Sequence, residues 1–188
     1  LDDLTSIERY EAARADFNKP FECIKVVDGE ATIVLPTLAL DSKRAIVWLD
    51  YDDTLVDSAA LEDISILGNS LPSGSVIVAS VNAHNAQFGV PDISCADKSD
   101  ARLKAFQDFA GTLFPLTLPP NPMSLGNFPR VAAETIFNAM SHSLAVAARP
   151  DEAELIPLFS FSYKDGVRMI TVGGLVASEA DRVIFESL

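Results

Sequence analysis

Apolar residues along this chain gather into blocks whose spacing switches between strand and helix periods. Residues 45–49 (Ala-Ile-Val-Trp-Leu) and 75–81 are unbroken apolar runs, the form taken by parallel strands covered on both faces. Between them, residues 58–71 set Leu61, Ile64, Leu67 and Leu71 at helical spacing, with Ser58 as N-cap and Pro72-Ser73-Gly74 as the stop. Residues 99–110, with Leu103, Phe106 and Ala110 on one face, and residues 131–148 predict two more helices. Residues 155–163 and 167–175 flank Lys164-Asp165-Gly166, a hairpin signal. Nearer the start, residues 4–7 form a short apolar run closing on Glu8, and residues 9–17 are rich in helix formers. Residues 21–27 read as a strand stopped by Asp28-Gly29, while residues 32–40 are ambiguous, β-branched first and leucine-rich later. Residues 113–129 hold five of the eleven prolines and read as a loop or lid.

Alternating strands and helices predict a three-layer α/β/α sandwich around a mostly parallel sheet, closed by a C-terminal antiparallel hairpin. One domain spanning residues 1–188 accounts for the pattern. In such sheets the ligand crevice lies at the carboxyl ends of the strands. That rule selects Glu8, Asp28-Gly29-Glu30, the stretch from Asp50 to Asp53, and Asn82 with His84 and Asn85.

Composition narrows the partners. Acidic residues outnumber basic ones 27 to 14, for a net charge of −13. So acidic a surface repels phosphate backbones and anionic lipid heads, which argues against nucleic acid and membrane surfaces. No apolar run reaches the length of a membrane span. Cys23 and Cys95 are too few for a disulfide framework or a zinc cluster. They fit buried thiols in a reducing, cytoplasmic compartment. The chain opens on Leu1 without a signal peptide or a methionine, so an upstream segment of a longer protein is expected.

The strand ends resemble those of the class I S-adenosylmethionine-dependent methyltransferases. The phrases Ser-Ile-Glu, Phe-Asn-Lys-Pro-Phe, Trp-Leu-Asp-Tyr-Asp and Arg-Met-Ile-Thr-Val-Gly-Gly are similar to those of a bacterial group of O-methyltransferase-like proteins. The resemblance implies that Glu8 holds the ribose of S-adenosylmethionine, that Gly29 and Glu30 flank the adenine, and that Asp50 and Tyr51 sit beside the methyl donor or the acceptor. It also implies a sheet in which the last strand inserts antiparallel between its two predecessors. Residues 167–175 would then lie between residues 155–163 and residues 75–81, as the one strand opposing the others. Glu8, Gly29, Asp50 and Asn82 would line a single cavity. The family's glycine-rich loop after its first strand has no counterpart here, which implies either that an upstream segment supplies it or that strands around Leu4 and Ile46 pair directly and the cofactor site is degenerate. Val172-Gly173-Gly174 could supply one by permutation, but the hairpin explains those residues more simply.

Among the residues that could move a proton, His84 follows the second apolar run and is the first candidate for general base, with Asp52 as the alternative. His142 lies inside a helix pattern and reads as structural. Trp48 reads as core, and Tyr51 as either a stacking ring or a half-buried wall. Asp53 reads as a solvated turn residue. The metal-dependent O-methyltransferases carry an acid where this chain has Ser80-Val81-Asn82, so no catalytic metal is expected. The acceptor would be a small molecule.

Two other readings stand beside this one. In the first, the domain is a methyltransferase-shaped interaction module without catalysis, serving a protein partner. In the second, Asp50-Tyr51-Asp52-Asp53-Thr54-Leu55 resembles the nucleophile motif of haloacid-dehalogenase-like phosphatases. There Asp50 would attack phosphorus, Asp52 would act as acid and base, Ser80 would bind the phosphate, and Mg²⁺ would bridge the carboxylates.

Overall fold

The computed structural model describes residues 21–89, 95–147 and 149–187. In chain order its elements are α1 (Ala31–Val34), β1 (Ile46–Thr54), α2 (Ala60–Ser70), β2 (Val76–Asn82), α3 (Cys95–Ala110), α4 (Phe128–Val146), β3 (Glu154–Asp165), β4 (Val167–Ala177) and α5 (Glu179–Glu186). Local chemistry sets most of the boundaries. Pro72 follows the C-cap Leu71 of α2, and a proline stands at the start of α4. α5 opens on a capping box in which Ser178 and Asp181 satisfy each other's backbone N–H groups.

The strands order as β1-β2-β4-β3. β1 pairs parallel with β2, while β4 pairs antiparallel with both β2 and β3. Thus β1, β2 and β3 run one way and β4, inserted between β2 and β3, opposes them, as expected. The sheet is mixed: by pairing, one ladder is parallel and two are antiparallel.

One face of the sheet is packed. Leu49, Ile77, Ala79, Val81, Ile170, Val172 and Val176 bury against Ala60, Ile64 and Leu67 of α2 and Ile136, Met140 and Leu144 of α4. The two helices approach closely at Gly68, where a Cβ would stand 2.1 Å from the Ser143 hydroxyl. Phe88, Phe106 and Phe128 close the end of this core in edge-to-face contacts, with ring centroids 5.1–5.8 Å apart.

The opposite face carries no helical layer among the described residues, so there the expected three layers reduce to two. Residues 46, 48 and 50 alternate with the buried Leu49, so their side chains share the other side of the sheet. Ile46 is 78% and Trp48 62% exposed, and across the sheet Phe161 is 60% exposed. Among the described residues no layer covers this region. Among the described residues Trp48 is therefore exposed where a core position was expected, and β1 is the outermost strand of the sheet. Residues 21–27 form a turn and irregular chain where a strand was expected, and the exposed Cys23 is not a buried thiol. Gly173 and Gly174 sit inside β4, under the Phe159 ring and the Leu155 side chain, so they form no ligand loop.

Candidate active site

The carboxyl ends of β1 and β2 lie side by side. The two strands stay in register from Ile46↔Val76 to Asp50↔Ser80, and the next pair is Thr54↔Asn82. Residues 51–53 of β1 therefore stand against Val81 alone, a bulge that re-aims their side chains. Asp50, Asp52 and Asp53 are exposed. Among the described residues their carboxylates make no hydrogen bond or ion pair, so they are free to bind a cation or accept a proton.

Tyr51 turns the other way. Its hydroxyl donates to Asp63 Oδ2 from the first turn of α2. Asp63 is wholly buried, and its Oδ1 has no partner among the described residues. Burial first, and then the hydrogen bond and charge of Asp63, raise the Tyr51 pKa well above the ordinary tyrosine range. Tyr51 is thus a half-buried wall residue, and it does not share a face with Asp50. Asp63 was not among the candidates, yet its signal is present in the chain. It falls on the stripe Ala60, Ile64, Leu67 and Leu71, where a carboxylate on the buried side of a helix needs a partner.

The loop after β2 is a hydrogen-bonded unit. The His84 N–H donates to Asn82 Oδ1 at 3.0 Å, and His84 Nδ1 accepts from the Ala86 N–H at 3.0 Å. In the neutral ring the proton therefore sits on Nε2. Gln87 Nε2 donates to the His84 carbonyl at 2.8 Å, and Gln87 Oε1 accepts from the Val56 N–H at 3.2 Å. One side chain thus straps this loop to the turn after β1.

Ser80 is fully buried. Its hydroxyl accepts from Trp48 Nε1 at 2.8 Å and pairs with Thr171 Oγ1 at 2.9 Å. A hydroxyl held in this way is not available to a phosphate, which removes the second-motif residue that the phosphatase reading requires.

The remaining candidates lie apart or outside view. Glu8 is outside the described residues. Gly29 takes φ +140°, and a Cβ there would stand 2.9 Å from Val34 Cγ2, so only glycine fits this turn. Glu30 is the N-cap of α1, with its carbonyl accepting from Ile33 and Val34. Asp50 and Asn82 thus come from neighbouring strand ends, whereas Gly29 precedes a short helix. The cavities elsewhere involve other residues. One of about 510 Å³ lies at the start of β3, around Arg149, Glu152 and Glu154, and one of about 340 Å³ lies between α2 and α4, beside Ser65 and His142. No helix among the described residues is long and apolar enough to cross a membrane.

A family model described as "Putative O-methyltransferase" matches residues 1–188. No curated protein matches the chain.

Proposed function

Because the chain belongs to the O-methyltransferase family whose model spans its whole length, we propose that it transfers a methyl group from S-adenosylmethionine to a hydroxyl of a small acceptor. The observation that carries this reading is the paired strand end. Three carboxylates without partners among the described residues, Asp50, Asp52 and Asp53, sit at the carboxyl edge of β1, strapped to the His84 loop of β2. The strand order supports it as well, since β4 lies antiparallel between β2 and β3 as the methyltransferase plan requires.

The donor set suits a cationic cofactor. S-adenosylmethionine would supply an electrophilic methyl on a sulfonium centre. Asp50, a free carboxylate facing outward from the strand end, would hold positive charge beside the transferring group. Gly29 and Glu30 would offer backbone and carboxylate to the adenosine, with Glu8 on the ribose. Tyr51 takes no direct part, because its hydroxyl is committed to Asp63. Asp52 would take the proton that the acceptor oxygen loses. His84, with Nδ1 already accepting a backbone N–H, would present Nε2–H as a donor that orients the acceptor. The protein's contribution is alignment of donor and acceptor.

The test is calorimetry of the full-length protein with S-adenosylhomocysteine. Saturable binding is expected, and Asp50→Asn should weaken binding of S-adenosylmethionine, which carries the sulfonium charge, at least tenfold, about 1.4 kcal/mol. Absence of binding heat would overturn the reading.

A further inference from the structure

We propose that Asn85 is a positioning residue for His84, and that through it the proline-rich segment 114–127 forms a fixed wall on the acceptor side of the strand-end site. The inference rests on the reading of His84 as the donor that orients the acceptor.

Proline sets the problem. Pro115, Pro119, Pro120 and Pro122 lack an N–H, so this segment cannot hold itself by a backbone ladder, and its carbonyls need donors from elsewhere. Asparagine side chains supply three. Asn138 Nδ2 donates to the Leu113 carbonyl at 3.0 Å, and Asn127 Nδ2 donates to the Pro120 carbonyl at 2.6 Å. Asn138 lies in α4 and Asn127 is its N-cap. The third bond comes from the loop after β2: Asn85 Nδ2 donates to the Met123 carbonyl at 2.5 Å. Asn85 and Met123 are both buried, so this bond is shielded from water and strengthened. Aromatic contacts seat the same region. Phe88 lies 5.8 Å from Phe128, and Phe114 lies 5.7 Å from Phe106.

His84 thus sits in a loop with two tethers. Gln87 ties that loop to Val56 in the turn after β1, and Asn85, the next residue to His84, ties it to Met123. The His84 N–H and Nδ1 are already engaged by Asn82 and Ala86. Nε2–H remains as the donor of the neutral ring, and the two tethers fix where it points. An acceptor at Nε2 is then flanked by the turn after β1 and by the stretch around Met123.

The chain has two histidines, and His142, exposed on α4, is the internal control. Acylation by diethyl pyrocarbonate, read by peptide mass spectrometry, follows each ring separately. In the wild type His84 should react more slowly than His142, and long-range nitrogen–proton spectra should place its proton on Nε2. Asn85→Ala should raise the His84 rate about fivefold and average the two tautomers. Asn127→Ala releases the segment at Pro120 without touching the His84 loop, and should raise the same rate about twofold. An unchanged His142 rate shows that α4 remains folded, and if Asn85→Ala fails to fold, Asn127→Ala decides alone. An unchanged His84 rate in the folded variants overturns the proposal. So does a response to Asn85→Ala that Asn127→Ala lacks, because Asn85 then acts within its own loop. Calorimetry of the wild type with S-adenosylhomocysteine reports the methyl-transfer reading separately: absence of binding removes that reading, while the His84 rates still decide the tether.

Discussion

The two faces of the four-stranded sheet are built from the same strands and treated in opposite ways. On the helix side, Leu49, Ile77 and Val172 interlock with α2 and α4 and lose nearly all contact with water. On the other side, one residue along in each strand, Trp48 and Phe161 remain largely exposed. The helix side is where apolar burial stabilises the fold, and the exposed side is where the molecule has surface left for recognition. Substitutions one position apart on β1 should therefore differ by an order of magnitude in their effect.

The largest effect belongs to the packed face. Leu49→Ala removes a side chain that lies against α2, and should cost about 2–5 kcal/mol in denaturant unfolding. Gly68→Ala tests the helix pair behind it. The new methyl meets Ser143 at 2.1 Å and its backbone carbon at 3.0 Å, so α2 and α4 must part, at about 1–3 kcal/mol.

Tyr51→Phe should cost about 1–2 kcal/mol near neutral pH by stripping the buried Asp63 carboxylate of the one hydrogen bond it has among the described residues. It should also change the alkaline limb of the stability curve. With the Tyr51 pKa raised in the folded protein, the unfolded chain ionises first, near its usual value of about 10, and binds fewer protons above it. Wild-type stability is therefore fully present below that pH and falls as pH rises beyond it. The phenylalanine variant should lack this part of the slope in melts followed from pH 8 to 11. The smallest effect is expected from Ile46→Thr, within about 0.5 kcal/mol. A cost near that of Leu49→Ala would show that the exposed face is covered after all.

How far these differences could be read in advance depended on what each signal encodes. Helical spacing located α2 and α4 to within a few residues, and Lys164-Asp165-Gly166 marked the β3–β4 turn, because periodicity and turn chemistry are local. The apolar run 45–49 was legible as a strand, but its position in the sheet was not. A continuous apolar run describes a strand suited to cover on both faces and does not say what supplies the cover. α5 was missed although Ser178 and Asp181 carry a capping box, since the glycines before them drew attention to a loop. Residues 21–27 have strand composition but no partner strand among the described residues.

The site divided along the same line. The acidic strand end from Asp50 to Asp53 was visible because charge directly after an apolar run is conspicuous. That Tyr51 would face away from its neighbours depended on the alternation of the strand and on Asp63, twelve residues further along the chain. The tautomer of His84 depended on the Ala86 N–H, which no residue pattern records.

The Gln87 strap has a mechanical consequence. Its amide oxygen holds the Val56 N–H while its amide nitrogen holds the His84 carbonyl, so the two loops bordering the strand ends are joined by one rigid planar group. An opening at the carboxyl edge therefore either carries both loops together, as one lever, or breaks the single Val56–Gln87 hydrogen bond that links them.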